Sequence, residues 1–104
     1  MNIILFGYGK MGHEVEKIAL QRGHNIVARI DNESDSQILR FSDSEEVVAI
    51  EFSTPATVLN NIYRCFDMNI PVVCGTTAWY QHLDEVKSRC EKENQALFYA
   101  PNFS

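Results

Sequence analysis

Residues 3–12 read IILFGYGKMG. The four apolar residues 3–6 predict a short buried strand, because a strand covered on both faces needs no polar alternation. The next six residues, GYGKMG, place three glycines at the spacing GxGxxG. Apolar side chains at helical spacing follow over residues 10–22, up to Gly23, and predict a helix that ends at a glycine cap. This order of strand, glycine turn and helix is typical of the first βαβ unit of a parallel α/β sheet.

The remainder of the chain repeats the alternation of apolar runs and amphipathic stretches. It predicts four further strands and two further helices, the strands over residues 25–30, 47–52, 71–74 and 96–99 and the helices over residues 55–67 and 79–94. Ser53 or Thr54 is expected to cap the helix that begins at Pro55. The polar residues 32–46 are expected to form a loop, with short helical turns near 37–40 and 43–46. The predicted fold is α/β, a Rossmann-type, doubly wound, mostly parallel five-stranded sheet.

Size, charge and cysteine content narrow the class of protein. The 104 residues, 45% of them hydrophobic, suffice for a single domain that spans residues 1–104. The net charge of −5 argues against nucleic acid as a partner, since binding its backbone usually needs a basic face. The apolar run at residues 3–6 is too short for a signal peptide or a membrane span. Three cysteines without a CxxC pair predict reduced thiols in a cytoplasmic protein, and no metal site is expected.

Each glycine of the GxGxxG motif has a physical role in a dinucleotide-binding turn. Gly7 would permit the tight turn after the strand, Gly9 would let the backbone approach a pyrophosphate, and Gly12 would let the helix pack closely on the strand. Unpaired N–H groups around Lys10 and Met11 would hold the phosphate oxygens. The alternative, a glycine-rich turn without a ligand, stays open at this point.

Asp31 follows the second predicted strand, where dinucleotide-binding sheets place an acid for the ribose hydroxyls. A carboxylate there repels the 2′-phosphate of NADPH, so the sequence favours NADH. Lys10 and Arg29 could offset this repulsion, and NADPH is therefore not excluded. Asp31 could instead be an ordinary solvated turn residue.

Three further segments lie at the carboxyl ends of later strands, where doubly wound sheets bind their ligands. They are EFSTP at residues 51–55, GTTAW at 75–79 and APNFS at 100–104. In order and spacing they resemble the dihydrodipicolinate reductase (4-hydroxy-tetrahydrodipicolinate reductase) family, and the resemblance covers residues 3–104. It implies an NAD(P)H-dependent oxidoreductase that reduces a small cyclic dicarboxylate to tetrahydrodipicolinate in lysine and diaminopimelate biosynthesis.

The resemblance also implies which residues contact the cofactor. The pyrophosphate would lie along Tyr8, Lys10 and Met11. The nicotinamide end would lie against residues of the three later segments, which are Phe52, Ser53, Gly75, Thr76, Thr77, Ala100, Asn102 and Phe103. Thr77 is expected near the bound substrate as well.

The sequence departs from the family's pattern at several positions. Ala78 stands where the family usually has the glycine of GTTG, which is costly if the backbone there needs a positive φ. The glycine loop is GxGxxG rather than the commoner GxxGxxG, and Asn32 replaces the basic residue that often follows the ribose acid in NADPH-using members. The family's catalytic residues belong to a substrate domain beyond residue 104. The resemblance therefore implies the cofactor half of a longer homotetrameric enzyme, inactive by itself, with some apolar surface uncovered.

Other interpretations remain open. A different Rossmann dehydrogenase, similar to aspartate or homoserine dehydrogenase, would also place an ST-P segment after a later strand. A non-catalytic nucleotide- or CoA-binding module would share the fold and would not need the segments at 75–79 and 100–104. His13, His24 and His82 are expected at the surface or at helix ends rather than in catalysis.

Overall fold

A computed structural model of the chain describes residues 1–31 and 46–99. The strands within them are β1 (Asn2–Phe6), β2 (Asn25–Ile30), β3 (Val47–Glu51), β4 (Val72–Cys74) and β5 (Leu97–Tyr99). The helices are α1 (Lys10–Gln21), α2 (Val58–Asp67) and α3 (Leu83–Lys92), and a 3-10 turn at Tyr80–His82 leads into α3. Predictions that fall on residues 32–45 and 100–104, among them the roles of Asn32, Ala100, Asn102 and Phe103, lie outside the described residues.

The five strands form one sheet in the order β2-β1-β3-β4-β5, and every neighbouring pair is parallel. The predicted Rossmann-type α/β sheet is thereby confirmed, with all strands parallel rather than most of them. The predicted strand ends agree with the structure to within one residue. The carboxyl ends of β1, β3 and β4 lie side by side at one edge, where a doubly wound sheet binds its ligand.

Both faces of β1 are buried, which explains its unbroken apolar run. Ile4 and Phe6 belong to a cluster that includes residues of α2 and α3, whereas Ile3 and Leu5 pack with α1. None of these four side chains is more than 4% exposed. Burying a side chain of this size stabilises the fold by about 1.5–3 kcal/mol. The sheet is therefore packed on both faces along β1, one of its interior strands.

The end of α1 follows the prediction made from Gly23. That glycine adopts a φ of 83°, and the N–H of the next residue, His24, donates to the carbonyl of Ala19 at 3.0 Å. The left-handed glycine lets the chain reverse directly into β2.

The predicted start of the second helix is wrong. α2 begins at Val58, and residues 55–57 form a turn instead of its first turn. Neither Ser53 nor Thr54 caps it with its side chain, and the N-cap position belongs to Thr57. The physical reason is that the Ser53 hydroxyl donates to the carboxylate of Glu51. A hydroxyl that donates to the end of β3 in this way is not available to cap the helix.

The predicted third helix, residues 79–94, is shorter and begins with the 3-10 turn. Trp79 precedes it as a core residue, 1% exposed, with its indole Nε1 donating to the carbonyl of Thr76 at 2.7 Å. The chain leaves α3 through Asn94, which has a φ of 53°. The bend that brings Trp79 into the core therefore delays the regular helix.

An apolar hollow of about 690 Å³ lies beside α1 on the face of the sheet that this helix covers only in part. Val48, Ile50 and Val73 contribute to its lining from β3 and β4. Phe98 of β5 also lines it and is 62% exposed. This agrees with the expectation of uncovered apolar surface.

The buried cysteines give a test of the core. Burial raises the pKa of the Cys65 thiol and raises that of Cys74 to about 12, and the nearby Glu51 carboxylate adds to both shifts. At pH 8 we expect iodoacetamide to alkylate both thiols at least about a hundredfold more slowly in the native chain than in urea, because the thiolate is the nucleophile. Cys90, which is only partly buried, should react first. Peptide mass mapping over time measures this, and native Cys74 reacting at the unfolded rate would contradict the described core.

Candidate functional site

The turns that follow β1, β3 and β4 are tied to the strands beside them. Gly7, Phe52 and Gly75 each donate a backbone N–H to the last carbonyl of the neighbouring strand, at 2.8, 2.9 and 2.8 Å. The hydrogen-bond ladder of the sheet thus continues one residue into each turn. Three turns of the predicted site are held in one row as a result.

Two glycines of the GxGxxG motif are required by close contacts. Gly7 has a φ of 90°, and a Cβ there would lie 2.0 Å from the backbone oxygen of Phe52. A Cβ on Gly12 would lie 2.5 Å from the backbone oxygen of Gly7. The tight turn at Gly7 is confirmed, and Gly12 lets α1 pack closely on that turn, since backbone cannot move aside cheaply.

The N-terminus of α1 opens onto the site. Gly9 is its N-cap, carries no side chain to cap the helix, and accepts the N–H of His13 at 3.0 Å. The N–H groups of Lys10 and Met11 come before that of His13, the N–H that donates to the Gly9 carbonyl, and no helical carbonyl lies four residues before them to accept their hydrogen bonds. A Cβ on Gly9 would meet no atom within 4 Å. This open, positively polarised end fits an anion such as a pyrophosphate.

A cleft of about 330 Å³ lies on the β2 side of this helix end. Its lining comes from the ends of β1, β2 and β3 and from α2, and comprises Gly7, Tyr8, Gly9, Ile30, Asp31, Phe52, Ser53, Thr54, Thr57 and Asn61. Asp31 Oδ1 accepts the backbone N–H of Tyr8 at 3.3 Å, which holds the carboxylate against the glycine turn. Asp31, the predicted ribose acid, therefore lies beside the glycine turn and lines this cleft.

Arg29, which could offset the charge of Asp31, is held by an acid of α1. Its guanidinium forms an ion pair with Glu16 and lies 5.5 Å from the centroid of the Tyr8 ring. The Tyr8 hydroxyl donates to the other oxygen of Glu16 at 2.7 Å, and this hydrogen bond holds the pKa of Glu16 below its usual value. The positive charge of Arg29 is thus balanced locally.

A second hollow of about 270 Å³ lies on the other side of the helix end, between the turns after β3 and β4. It is lined by Met11, Phe52, Ser53, Pro55, Gly75, Thr76 and Thr77. A Cβ on Gly75 would lie 2.0 Å from the ring of Phe52, so the absent side chain makes room for that ring. Thr77 is exposed at the rim, whereas Thr76 is 6% exposed and turned inward. The predicted nicotinamide residues that lie within the described chain are therefore brought together here.

Sequence reasoning missed Glu51, the last residue of β3. It is fully buried, and its carboxylate accepts hydrogen bonds from the hydroxyls of Ser53 and Thr76. It also accepts the side-chain amide of Asn61 at 2.8 Å. The available signal was a charged residue at the end of a strand, where a buried strand otherwise ends in apolar residues. Asn61 and Thr57, which line the first cleft from α2, were missed as well.

The three histidines lie outside any catalytic arrangement in the described structure. His13 is exposed in the first turn of α1, with Nδ1 2.7 Å from the carbonyl of Gly9. His24 lies in the turn before β2, and His82 is the N-cap of α3. Among residues 1–31 and 46–99 no three His, Cys, Asp or Glu side chains are grouped so that they could hold a metal ion. Helices in the same part of the chain are also too short and too polar to cross a membrane.

Comparison with known proteins decides the family. A family model described as "Dihydrodipicolinate reductase, N-terminus" matches residues 1–103. The chain belongs to this family. A 4-hydroxy-tetrahydrodipicolinate reductase of Christiangramia forsetii is 44% identical over 104 residues, and one of Staphylococcus epidermidis is 34% identical over 110. Membership in the dihydrodipicolinate reductase family argues against the aspartate- and homoserine-dehydrogenase alternatives.

The match covers the whole of this chain and part of each relative. The chain spans 43% of the C. forsetii reductase and 45% of the S. epidermidis reductase. A solved dipicolinate-bound dihydrodipicolinate reductase from Paenisporosarcina superposes with a TM-score of 0.74 over 99% of this chain and 48% of that one. Its sequence identity is 24%, so this likeness supports the fold.

Ala78 gives a test of the turn after β4. It adopts a φ of 64°, the left-handed conformation that the family's usual glycine tolerates and that costs other residues about 1–2 kcal/mol. We expect Ala78→Gly to raise the free energy of unfolding by up to about 1 kcal/mol, after the greater freedom of glycine in the unfolded chain is subtracted. Urea unfolding followed by circular dichroism measures it. The matched control, Ala56→Gly in an exposed turn of ordinary φ, should destabilise, and equal effects of the two changes would contradict the described turn.

Proposed function

We propose that this chain is the dinucleotide-binding domain of a 4-hydroxy-tetrahydrodipicolinate reductase and that it binds NADH across the carboxyl edge of its sheet. The observation that carries the proposal is the open N-terminus of α1 at Gly9, placed between the cleft at Asp31 and the hollow at Thr77. An anion-binding helix end flanked by two cavities matches a ligand with a central pyrophosphate and a nucleoside on each side.

Each part of NADH has a complementary group. The pyrophosphate would accept the N–H groups of Lys10 and Met11, with the Lys10 ammonium adding positive charge. The ribose of the adenosine would donate its hydroxyls to Asp31. The nicotinamide and its ribose would occupy the hollow beside Phe52 and Thr77, with Ser53, Gly75 and Thr76 around them, and the predicted contacts of Ala100, Asn102 and Phe103 would complete that side. Gly7, Gly12 and Tyr8 would shape the turn beneath the pyrophosphate.

The charges near Asp31 support a preference for NADH over NADPH. A 2′-phosphate would face the Asp31 carboxylate at the end of β2. Arg29 lies two residues before Asp31. It already forms an ion pair with Glu16, and its guanidinium lies over the ring of Tyr8. Using Arg29 for a phosphate would leave Glu16 without its ion-pair partner, which makes the recruitment of this cation unfavourable.

We further propose that the whole protein is a cytoplasmic homotetramer that reduces a cyclic unsaturated dicarboxylate to tetrahydrodipicolinate. When bound, the nicotinamide supplies the hydride, and this domain fixes the position and direction of its ring. Residues outside this chain would bind the substrate carboxylates and deliver the proton. Thr77, exposed at the rim of the hollow, is the residue of this domain that would lie nearest the substrate.

Calorimetric titration with NADH tests the cofactor proposal. Gly9→Asp should leave the fold intact, because a Cβ at this position meets no atom within 4 Å and Asp is a favourable N-cap. The introduced carboxylate would repel the pyrophosphate, so we expect the dissociation constant for NADH to rise at least about tenfold. Ser88→Asp adds the same charge to the exposed face of α3 and should change nothing. NADH binding to Gly9→Asp with wild-type affinity would refute the proposed site.

The cofactor preference is tested at Asp31. Asp31→Asn keeps the size of the side chain and an oxygen that can accept the N–H of Tyr8, and removes the charge. We expect the NADPH dissociation constant, divided by that of NADH, to fall about tenfold, since the repulsion between Asp31 and the 2′-phosphate is removed. Asp84→Asn on α3 is the control. A ratio that does not move would mean that Asp31 does not face the 2′ position.

A further inference from the structure

The Glu51 carboxylate joins two turns of the site to α2. One oxygen accepts the hydroxyl of Thr76 and lies 3.7 Å from the thiol of Cys74. The other accepts the hydroxyl of Ser53 and the amide of Asn61, the latter at 2.8 Å. A carboxylate only accepts hydrogen bonds, and here four donors surround it without solvent. A buried charge is tolerated only with such partners, so this cluster is a built feature of the chain.

The hydroxyl protons in this cluster have defined directions. The Ser53 hydroxyl oxygen accepts from Thr57 at 2.9 Å and from Asn61 at 3.2 Å, so its own proton is directed to Glu51. The Thr76 hydroxyl oxygen accepts the backbone N–H of Ser53 at 2.8 Å, and its proton is likewise directed to Glu51. Both hydroxyls are therefore engaged inward and link the two turns to each other.

The hydrogen bonds to Glu51 connect the turns after β3 and β4, two strands that pair over only a short length. β3 and β4 share three paired positions, from Ala49 opposite Val72 to Glu51 opposite Cys74. Past that point the N–H of Gly75 adds one backbone bond and the Phe52 ring lies against Gly75, while Thr76 joins the two turns through the N–H of Ser53 and the Glu51 carboxylate. The relative position of the two turns thus depends on the carboxylate.

We propose that Glu51 is a positioning residue that fixes the turn after β3 against the turn after β4, and so shapes the hollow for the nicotinamide half of the dinucleotide. It does not touch the ligand, because it is fully buried beneath the two turns. The inference rests on the proposed function, since it assigns this hollow to the nicotinamide end.

Glu51→Gln is the discriminating variant. It preserves the size of the side chain but replaces one acceptor oxygen with an NH₂ group, which would face a hydroxyl or amide donor on either side. The two turns should lose their fixed spacing, while the helix end at Gly9 and the acid Asp31 belong to other elements. The half of the site that binds adenosine and pyrophosphate should therefore be unaffected.

The experiment compares NADH with ADP-ribose, which lacks the nicotinamide, by titrating each into the wild-type and variant chains. Wild type should bind NADH more tightly than ADP-ribose. Glu51→Gln should lose most of that advantage, with a rise of about tenfold in the NADH dissociation constant if the linkage supplies a charge-assisted hydrogen bond. ADP-ribose affinity should stay within about twofold of wild type. Glu91→Gln, an exposed change on α3, is the matched control and should alter neither affinity.

The outcomes separate this inference from the proposed function. Wild type that binds neither ligand would overturn both. Wild type that binds the two equally would overturn the positioning role and the assignment of the hollow to the nicotinamide, and would leave the proposed pyrophosphate and adenosine contacts intact. The positioning role would also be overturned if Glu51→Gln kept the full preference for NADH over ADP-ribose. Equal losses of affinity for both ligands would overturn it too, because they would indicate general damage to the fold. If circular dichroism shows that Glu51→Gln does not fold, Thr76→Val removes the bridging hydroxyl from the other side and must show the same selective loss.

Discussion

Phe52 lies between two glycines, and the arrangement of the site depends on how closely they approach it. Its backbone oxygen occupies the place where a Cβ on Gly7 would be, and its ring occupies the place where a Cβ on Gly75 would be. The turns after β1 and β4 can therefore approach the turn after β3 this closely only because Gly7 and Gly75 carry no side chain. This approach brings the N-terminus of α1 to the middle of the carboxyl edge, with a cavity on either side.

Local charges explain how an acidic chain can hold an anion. The net charge of −5 is spread over the molecule, whereas the helix end presents N–H groups of Lys10 and Met11 at short range. Glu16 offsets Arg29, and the Glu51 carboxylate is enclosed by its own donors. The proposed anion site is thus made of backbone, and in this proposal the side-chain charges around it serve chiefly to select the cofactor and to position the turns.

The sequence predicted the sheet well because its strands are short and largely apolar, and β1 is covered on both faces. Unbroken apolar runs such as 3–6 have no other stable place in a small α/β domain, and glycine spacing marks the first turn. Asp31 was predicted from its distance along the chain from that motif, and the structure places it beside the glycine turn. The positive φ of Ala78 was foreseen only as a condition, through comparison with the family's glycine.

The start of α2 and the role of Glu51 could not be predicted from the sequence, and both for one reason. Ser53 has the residue type of a helix cap, but its hydroxyl is engaged by Glu51, and Thr76, the second hydroxyl on that carboxylate, is 25 positions away from it. Local preferences of serine and threonine carry no information about a partner at that separation. Contacts of this kind are set by the tertiary fold.

In the proposed function the helix end, the cleft at Asp31 and the hollow at Thr77 form one dinucleotide site. The most direct test is the change in backbone amide chemical shifts, by two-dimensional NMR, as NADH is added to the labelled chain. We expect shifts at residues 9–12 and in the turns at 52–54 and 75–77, with none around the apolar hollow at Val48 and Phe98. Shifts confined to that apolar face, or to one cavity without the helix end, would contradict it.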